Sequence, residues 1–257
     1  MAVFQELQGV SFPNDLPLLV KDPLVTLGTL HLLDVTRTTC WDGSAPTNLD
    51  VFNDLSLDGE NNGTFKGDGA TYNDGIDFLA VGASVPRIDL PDIALHNKSF
   101  IAIIWVKPTT QGSGTMSYFG RANSDTDLQF NLKKLINNNV NVRFNDSIGN
   151  FTQLGFTVPT TVPTQIAFSV EIVGGSTTVV KLYKNNVLVS TVERAQGAGL
   201  IEWNTYNPAI NAWGNSGFFD DNTNKFYRSL IEDLDVSGRT PEEVLALDYT
   251  TNVNRFT

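Results

Sequence analysis

An all-β chain folded as two antiparallel sheets packed into a sandwich is what this sequence predicts. Three observations carry that expectation. Several segments alternate apolar and polar residues with the two-residue period of a strand, and one apolar run is closed by a proline. Asp-Gly and Gly-Gly pairs punctuate the chain between such segments, the signature of tight turns. With 257 residues, 41 % of them hydrophobic, the chain can bury a large core and is not a disordered polymer.

In chain order, residues 1–28 are apolar but broken by Pro13, Pro17 and Pro23, which reads as an extended arm ahead of a domain at 29–257. Phe4, Leu7, Phe12, Leu18 and Leu19 of that arm need a surface to cover. Two surfaces qualify: the arm's own sandwich, or a neighbouring subunit whose sheet edge accepts an added strand. Turns follow at Asp42-Gly43, Asp58-Gly59, Asp68-Gly69 and Asp74-Gly75. Ser99 to Lys107, stopped by Pro108, is a strand buried on both faces, with Trp105 in the core. Over 127–133, Leu128, Phe130 and Leu132 take one face and Gln129 and Asn131 the other. Val140, Val142 and Phe144 do the same against Asn141 and Arg143.

Strands at 165–173 and 178–183 flank Gly174-Gly175, and a third at 187–192 follows Lys184-Asn185-Asn186. Asn tolerates positive φ, so that triplet predicts a tight hairpin. Near the end, Thr240, Pro241 and Glu243 occupy N-cap, N1 and N3 before Val244, Leu245 and Leu247. This capping box predicts one short helix, packed on the outside of the sandwich.

Seventeen Lys and Arg against 28 Asp and Glu give a net charge of −11, which disfavours a nucleic-acid surface. A lone Cys40 leaves no disulfide framework and no cysteine zinc cluster. The start carries no basic stretch followed by an apolar one, so no export signal is expected. The longest apolar run, Phe100 to Val106, is far short of the ~20 residues of a membrane helix, and no membrane partner is expected. Glycosylation-type triplets at Asn62, Asn97, Asn145 and Asn150 read as chance in an Asn-rich chain.

A resemblance then emerges from the order of several motifs. Asp54-Leu55-Ser56-Leu57-Asp58-Gly59-Glu60-Asn61-Asn62-Gly63-Thr64 is followed by Ile76-Asp77-Phe78 and by Arg87-Ile88-Asp89-Leu90-Pro91. Ser99-Phe100-Ile101-Ala102 leads to Trp105-Val106-Lys107-Pro108, and Val180-Lys181-Leu182-Tyr183 precedes Lys184-Asn185-Asn186. Leu230-Ile231-Glu232-Asp233-Leu234-Asp235-Val236 and Thr240-Pro241-Glu242-Glu243-Val244 close the series. In that order, over about residues 29–250, the chain resembles the laminin G-like, concanavalin A-like jelly-roll family. Gly28-Thr29-Leu30-His31-Leu32-Leu33-Asp34 with Trp41-Asp42-Gly43-Ser44 resembles the lead-in of members found in tailed-phage virion proteins, with Cys40-Trp41 as a departure. The resemblance implies a two-sheet antiparallel jelly-roll sandwich, all-β apart from the short C-terminal helix.

It also implies candidate sites. The family often holds a structural calcium between the first of these loops and the closing strand, at positions matching Asp54 and Asp233 here, with Asp58, Glu60 and Asn61 nearby. Leu57 replaces the usual Gly, and the commoner use of Asp54 and Asp58 is to close turns by accepting backbone N–H bonds. No other cofactor is indicated.

A second candidate comes from composition alone. Trp203, Tyr206 and Trp213 lie among Asn204, Asn207, Asn211 and Asn215, pairing sugar-stacking rings with hydroxyl-binding amides. The competing reading is that the tryptophans are core.

Catalysis finds no support. Glu232-Asp233-Leu234-Asp235 lacks the spacing of a glycosidase acid and nucleophile, and neither His31, His96 nor Cys40 sits in a recognisable nucleophile arrangement. The expectation is a non-enzymatic structural protein of a bacteriophage particle, in capsid decoration or tail. It would be located in the virion, homo-oligomeric through its arm, in contact with other virion proteins, and weakly glycan-binding. A carbohydrate-binding adhesin for host surface glycans is the alternative, and a glycan hydrolase the third.

Overall fold

The computed structural model describes residues 22–79, 86–108, 116–124, 127–135, 139–146, 151–157, 162–195, 199–202, 205–214 and 224–256. Among the described residues the chain forms sixteen strands and two helices. Six strands, mostly short, come first: β1 (Thr29–Asp34), β2 (Val51–Phe52), β3 (Gly63–Lys66), β4 (Ala70–Tyr72), β5 (Ile76–Phe78) and β6 (Arg87–Asp89). The long strands β7 (Phe100–Pro108), β8 (Met116–Ala122), β9 (Leu128–Lys134), β10 (Asn139–Asn145) and β11 (Phe151–Thr157) follow. Then come β12 (Thr164–Val173), β13 (Thr177–Lys184), β14 (Val187–Ala195), β15 (Ala209–Ile210) and β16 (Asn224–Asp233). Helices α1 (Leu234–Ser237) and α2 (Pro241–Asn252) end the chain.

The strands form two antiparallel sheets. Sheet A runs β14-β13-β12-β7-β16-β5-β4, with β1 also paired to β16; sheet B runs β11-β10-β9-β8-β15-β6-β3-β2. Packed face to face, they make the expected sandwich, consistent with a jelly roll. Its interior is lined from sheet A by Phe100, Ile104, Phe168 and Leu182, and from sheet B by Phe119, Phe130, Leu132 and Val142.

Local chemistry explains the elements. Strand β7 is buried on both faces because Phe100, Ala102, Ile104 and Val106 enter the interior while Ile101, Ile103 and Trp105 face a second cluster outside. Asn185 and Asn186 both take positive φ, 49° and 62°, the backbone a two-residue hairpin needs to follow strand twist. At α2, Thr240 accepts from the Glu243 N–H and the Glu243 carboxylate accepts from the Thr240 N–H, so the capping box is complete.

Helix α2 lies on the outer face of sheet A. Val244 and Leu245 pack there with Ile101, Ile103, Trp105, Tyr227 and Phe256. Leu24 and Val25 join the same cluster, so the described end of the predicted arm, residues 22–28, is part of the sandwich. Phe4, Leu7, Phe12, Leu18 and Leu19 lie outside the described residues.

Beneath the helix sits a buried ion network. Arg228 donates to Asp22 at 2.9 Å, to Asp34 at 3.1 Å and to Asp248 at 3.0 Å. Asp248 also accepts from the Trp105 indole at 2.6 Å and from Gln165 at 2.7 Å. Burial alone would raise the Asp34 carboxyl, but the charges of Arg228 and Arg255 and the Thr36 hydroxyl outweigh it and hold it below its ordinary value.

Candidate functional site

Strand alternation decides what sheet B presents on its outer side. Phe130, Leu132, Val140, Val142 and Phe144 point into the interior, so Gln129, Asn131 and Lys133 of β9 and Asn139, Asn141, Arg143 and Asn145 of β10 point outward. Register lines them up in rows across the strands. One row runs Gly155–Asn141–Lys133–Ser117, from β11 to β8; another places Arg143, Asn131 and Gly120 side by side.

These outward groups are not exposed. Gln129, Asn131 and Asn141 are each 1 % accessible or less, because loops lie across the face. Strand β15 pairs with β8, and Asn211 just beyond it turns the chain in a left-handed conformation, φ 64°. The loop then crosses β8 so closely that a Cβ on Gly120 would stand 2.5 Å from the Trp213 carbonyl oxygen. Ser117 donates to the Ala212 carbonyl at 2.8 Å, and Gln129 to the Ile201 carbonyl at 2.5 Å. Arg121, 2 % exposed, ties the loop down by donating to the Tyr206 carbonyl, the Ile93 carbonyl and Asp92.

Trp213 is thereby held above β9, with the Lys133 ammonium 5.7 Å from its ring centroid. The structure thus brings two sequence candidates, Tyr206 and Trp213, to sheet B on the segments before and after β15; Trp203 lies outside the described residues.

What distinguishes the face is its hydrogen-bond account. Asn141 has no partner for either side-chain atom among the described residues. Asn131 Nδ2, Gln129 Oε1 and Asn145 Oδ1 are likewise buried and unmet, and Asn131 Oδ1 shares the one proton of the Ser117 hydroxyl, whose oxygen is 2.7 Å away, with the Ala212 carbonyl. A buried unmet polar group costs about 1–3 kcal/mol, so these amides call for a partner, which an ordered water or a ligand can supply. These amides were visible in the sequence as the polar half of two alternating strands. The missed signal is that strands β8 to β11 contain no Asp or Glu at all in a chain of net charge −11.

The calcium candidates fare differently. Asp54 Oδ1 accepts from the Leu32 N–H at 2.8 Å and the Ser56 N–H at 3.0 Å. Its Oδ2 accepts from the Ser56 hydroxyl at 2.5 Å and the Asn61 N–H at 3.1 Å. Four donors saturate the lone pairs of a carboxylate. Asp58 lies 2.8 Å from the same Ser56 hydroxyl, whose single proton it shares with Asp54. Asp233 caps α1 through Val236 N–H and pairs with Lys98 at 2.7 Å. Among the described residues no three His, Cys, Asp or Glu side chains converge as a metal site. Asp54, Asp58 and Asp233 therefore do not form one donor set for calcium; they bind local N–H, hydroxyl and ammonium groups instead.

The groups that could act as acids, bases or nucleophiles are also committed. Asp235 accepts from the Ser99 N–H at 2.9 Å. Burial pushes the Cys40 thiol up to about 12, which keeps it protonated at neutral pH. Burial also holds the fully enclosed His31 imidazole below its ordinary value, and its Nε2 lies 2.9 Å from the Ser229 hydroxyl.

No protein-family model matches the sequence, and no curated protein is recognisably similar to it. Solved structures of similar fold include the receptor-binding domain of botulinum neurotoxin D, with TM-score 0.59 and 12 % identity over 88 % of this chain and 53 % of that one. The binding domain of botulinum neurotoxin DC in complex with rat synaptotagmin II gives TM-score 0.60 and 9 % identity over 87 % of this chain and 51 % of that one. A Trypanosoma rangeli sialidase gives TM-score 0.59 and 12 % identity over 91 % of this chain and 34 % of that one. The chain thus spans about half the length of the toxin binding domains and about a third of the sialidase. At such identities the likeness establishes a lectin-like β-sandwich fold and nothing finer.

Proposed function

We propose that the protein is a non-enzymatic recognition module that holds a glycan on the outer face of sheet B. One observation carries this reading: the buried, unmet amide atoms of Gln129, Asn131, Asn141 and Asn145 belong to the outward side of β9 and β10, the side on which Trp213 is held over Lys133. Amides satisfy hydroxyls as donor and acceptor, and an aromatic ring packs against the C–H face of a sugar. Hydrolysis of a glycosidic bond ordinarily uses a pair of carboxylates, and strands β8 to β11 supply none, which supports binding without turnover.

A glycan array followed by titration of the full chain tests it. Binding without release of new reducing ends, weakened in Trp213→Ala, is the expected result. Cleavage that disappears in Asp233→Asn or Asp235→Asn would replace this reading with a hydrolase.

A second reading concerns where the module works. The order of its motifs favours a structural place in a tailed-phage particle, as capsid decoration or tail component, where the chain self-associates and contacts other virion proteins. Removal of residues 1–21 tests this, because Asp22 already belongs to the Arg228 network and must stay. Loss of self-association and of particle incorporation, with glycan binding intact, is expected. A monomer of unchanged mass with and without those residues contradicts it.

A further inference from the structure

A sheet edge is a row of unpaired N–H and C=O groups, and proteins ordinarily blunt it by shortness, by a covering loop, or by proline and lysine. Three edges of this sandwich are blunted in that way. Strand β2 has two residues and β4 three. The free side of β1 is covered by the 54–61 loop. There the Leu32 N–H donates to Asp54 at 2.8 Å, the Leu55 N–H to the Leu32 carbonyl at 2.8 Å, and the Asn61 amide to the Leu30 carbonyl at 2.5 Å. Strand β14 is left open. It ends sheet A with nine residues, contains neither proline nor lysine, and among the described residues pairs only with β13. Its one irregularity is a bulge at Val189, beyond which residues 190–195 run in unbroken register.

This edge is also apolar. Val187, Leu188 and Val189 are 62 %, 48 % and 42 % exposed. Arg194 pairs with Asp146 of the same sandwich, which leaves Glu193 as the one other charged side chain on the strand. Val192, and Phe156 from the neighbouring β11, pack against the interior yet stay partly exposed, so this margin of the core is half covered.

We infer that the free edge of β14 receives residues 1–12 of a second copy of the chain as an added strand. The inference rests on the self-association reading above and says where the arm docks. Residues 1–12 are the stretch of the arm that is free of proline and matches β14 in length; Pro13, Pro17 and Pro23 interrupt the rest. They carry one charged side chain, Glu6, and supply Val3, Phe4, Leu7, Val10 and Phe12 for an apolar edge.

The place where the arm departs selects a second copy as its donor. Asp22 pairs with Arg228 on β16 at 2.9 Å and with Arg37, just after β1, at 3.0 Å. Strand β16 lies four strand positions from β14, about 19 Å. Between them lies α2, whose Glu242 accepts from the Tyr183 hydroxyl of β13 at 2.9 Å. A strand arriving from a neighbouring molecule meets no such obstacle. Residues 13–21, about 30 Å when extended, are long enough to cross between copies.

Mass measurement in solution and disulfide trapping, both on the full chain, provide the test. Association is expected to be lost without residues 1–21. In the double variant Val187→Asp, Val189→Asp it should weaken roughly tenfold or more, with the circular dichroism unchanged because both positions are exposed. Under mild oxidation, chains carrying Gln5→Cys, Leu7→Cys or Gly9→Cys, which span the register, are expected to link to chains carrying Thr191→Cys. Cys40, 1 % exposed, does not compete. Trapping alters only exposed Thr191 on the edge, so it decides the matter even if the double variant fails to fold. Association lost on truncation but unchanged in the double variant, with no link to Thr191→Cys, would overturn docking on β14 and leave arm-mediated self-association standing. Links formed only within a single chain carrying both cysteines would overturn the second copy as donor. Association that survives truncation, with Thr191→Cys chains linking to each other, would overturn the arm as occupant. A full chain that stays monomeric would defeat the self-association reading itself.

Discussion

On the outer face of sheet A the buried carboxylates of Asp22, Asp34 and Asp248 all meet guanidinium groups, whereas on the outer face of sheet B the Asn141 amide meets nothing among the described residues. Both faces carry buried polar side chains, yet they are finished differently. Sheet A is covered by α2 and residues 22–25, with each carboxylate of the network paired and both Asp248 oxygens engaged, Oδ2 by Trp105 and Gln165 and Oδ1 by Arg228 and Asn252. Such closure fixes where the helix and the start of the domain sit, and of the Arg228 guanidinium only Nη2 is left without a partner among the described residues. Sheet B is covered only by loops pinned through Arg121, Ser117 and Gln129, and its amides keep atoms that meet no partner among the described residues. The contrast separates a face finished for folding from the face to which the proposed function assigns recognition.

The largest effect should come from opening the closed face. Asp248→Ala leaves Arg228 short of a buried counter-charge and strips the Trp105 and Gln165 donors of their acceptor, so a loss of about 3–5 kcal/mol is expected in denaturant unfolding. A change under 1 kcal/mol would mean the network is not the lock described. Acid should attack the same face. The Asp34 carboxyl is held below 3.8, so the stability it contributes is fully present above that value and is lost as pH falls through its lower folded value. Melting curves between pH 5 and 2 (about the range where carboxylates protonate) should show a steeper acid decline for the parent than for Asp34→Asn.

A smaller effect, about 1 kcal/mol, is expected from Thr240→Ala, which removes the α2 cap at an exposed position. Smallest of all, and opposite in sign, is Asn141→Leu on the open face: no destabilisation, in contrast to every polar substitution beneath α2. Calcium or a chelator should leave the melting temperature unmoved, since Asp54 is already saturated by four donors.

Much of the fold was legible because its signals are local. Pro108, the alternation of Leu128 to Leu132, the Asn185-Asn186 turn and the Thr240–Glu243 box each act within a few residues, and each element formed where its signal lay. Strands of two or three residues, such as β2 and β15, were not legible, for they are too short to show a period and exist through register with β3, β6 and β8. The Arg228 network was invisible for a different reason: its Asp22 partner is 206 positions away.

The candidate site was half legible. Asn131 and Asn141 were assigned to polar strand faces, which ordinarily means contact with water; segments far along the chain, among them the Trp213 loop over Gly120 and Ile201 over Gln129, lie across that face. The Asp54 loop shows the converse. Oxygen ligands for calcium and acceptors for Asx turns are the same residues in sequence, and the orientation of nearby N–H groups separates them.

The central claim is that recognition belongs to sheet B and closure to sheet A. Amide hydrogen exchange of the full chain, with and without a saturating glycan, tests it most directly. The account predicts slowed exchange in β9, β10 and β11 and in the loop at 211–214, with β7, β16 and α2 unchanged. Slowed exchange confined to α2 and its neighbours, or the same rates everywhere, would contradict it.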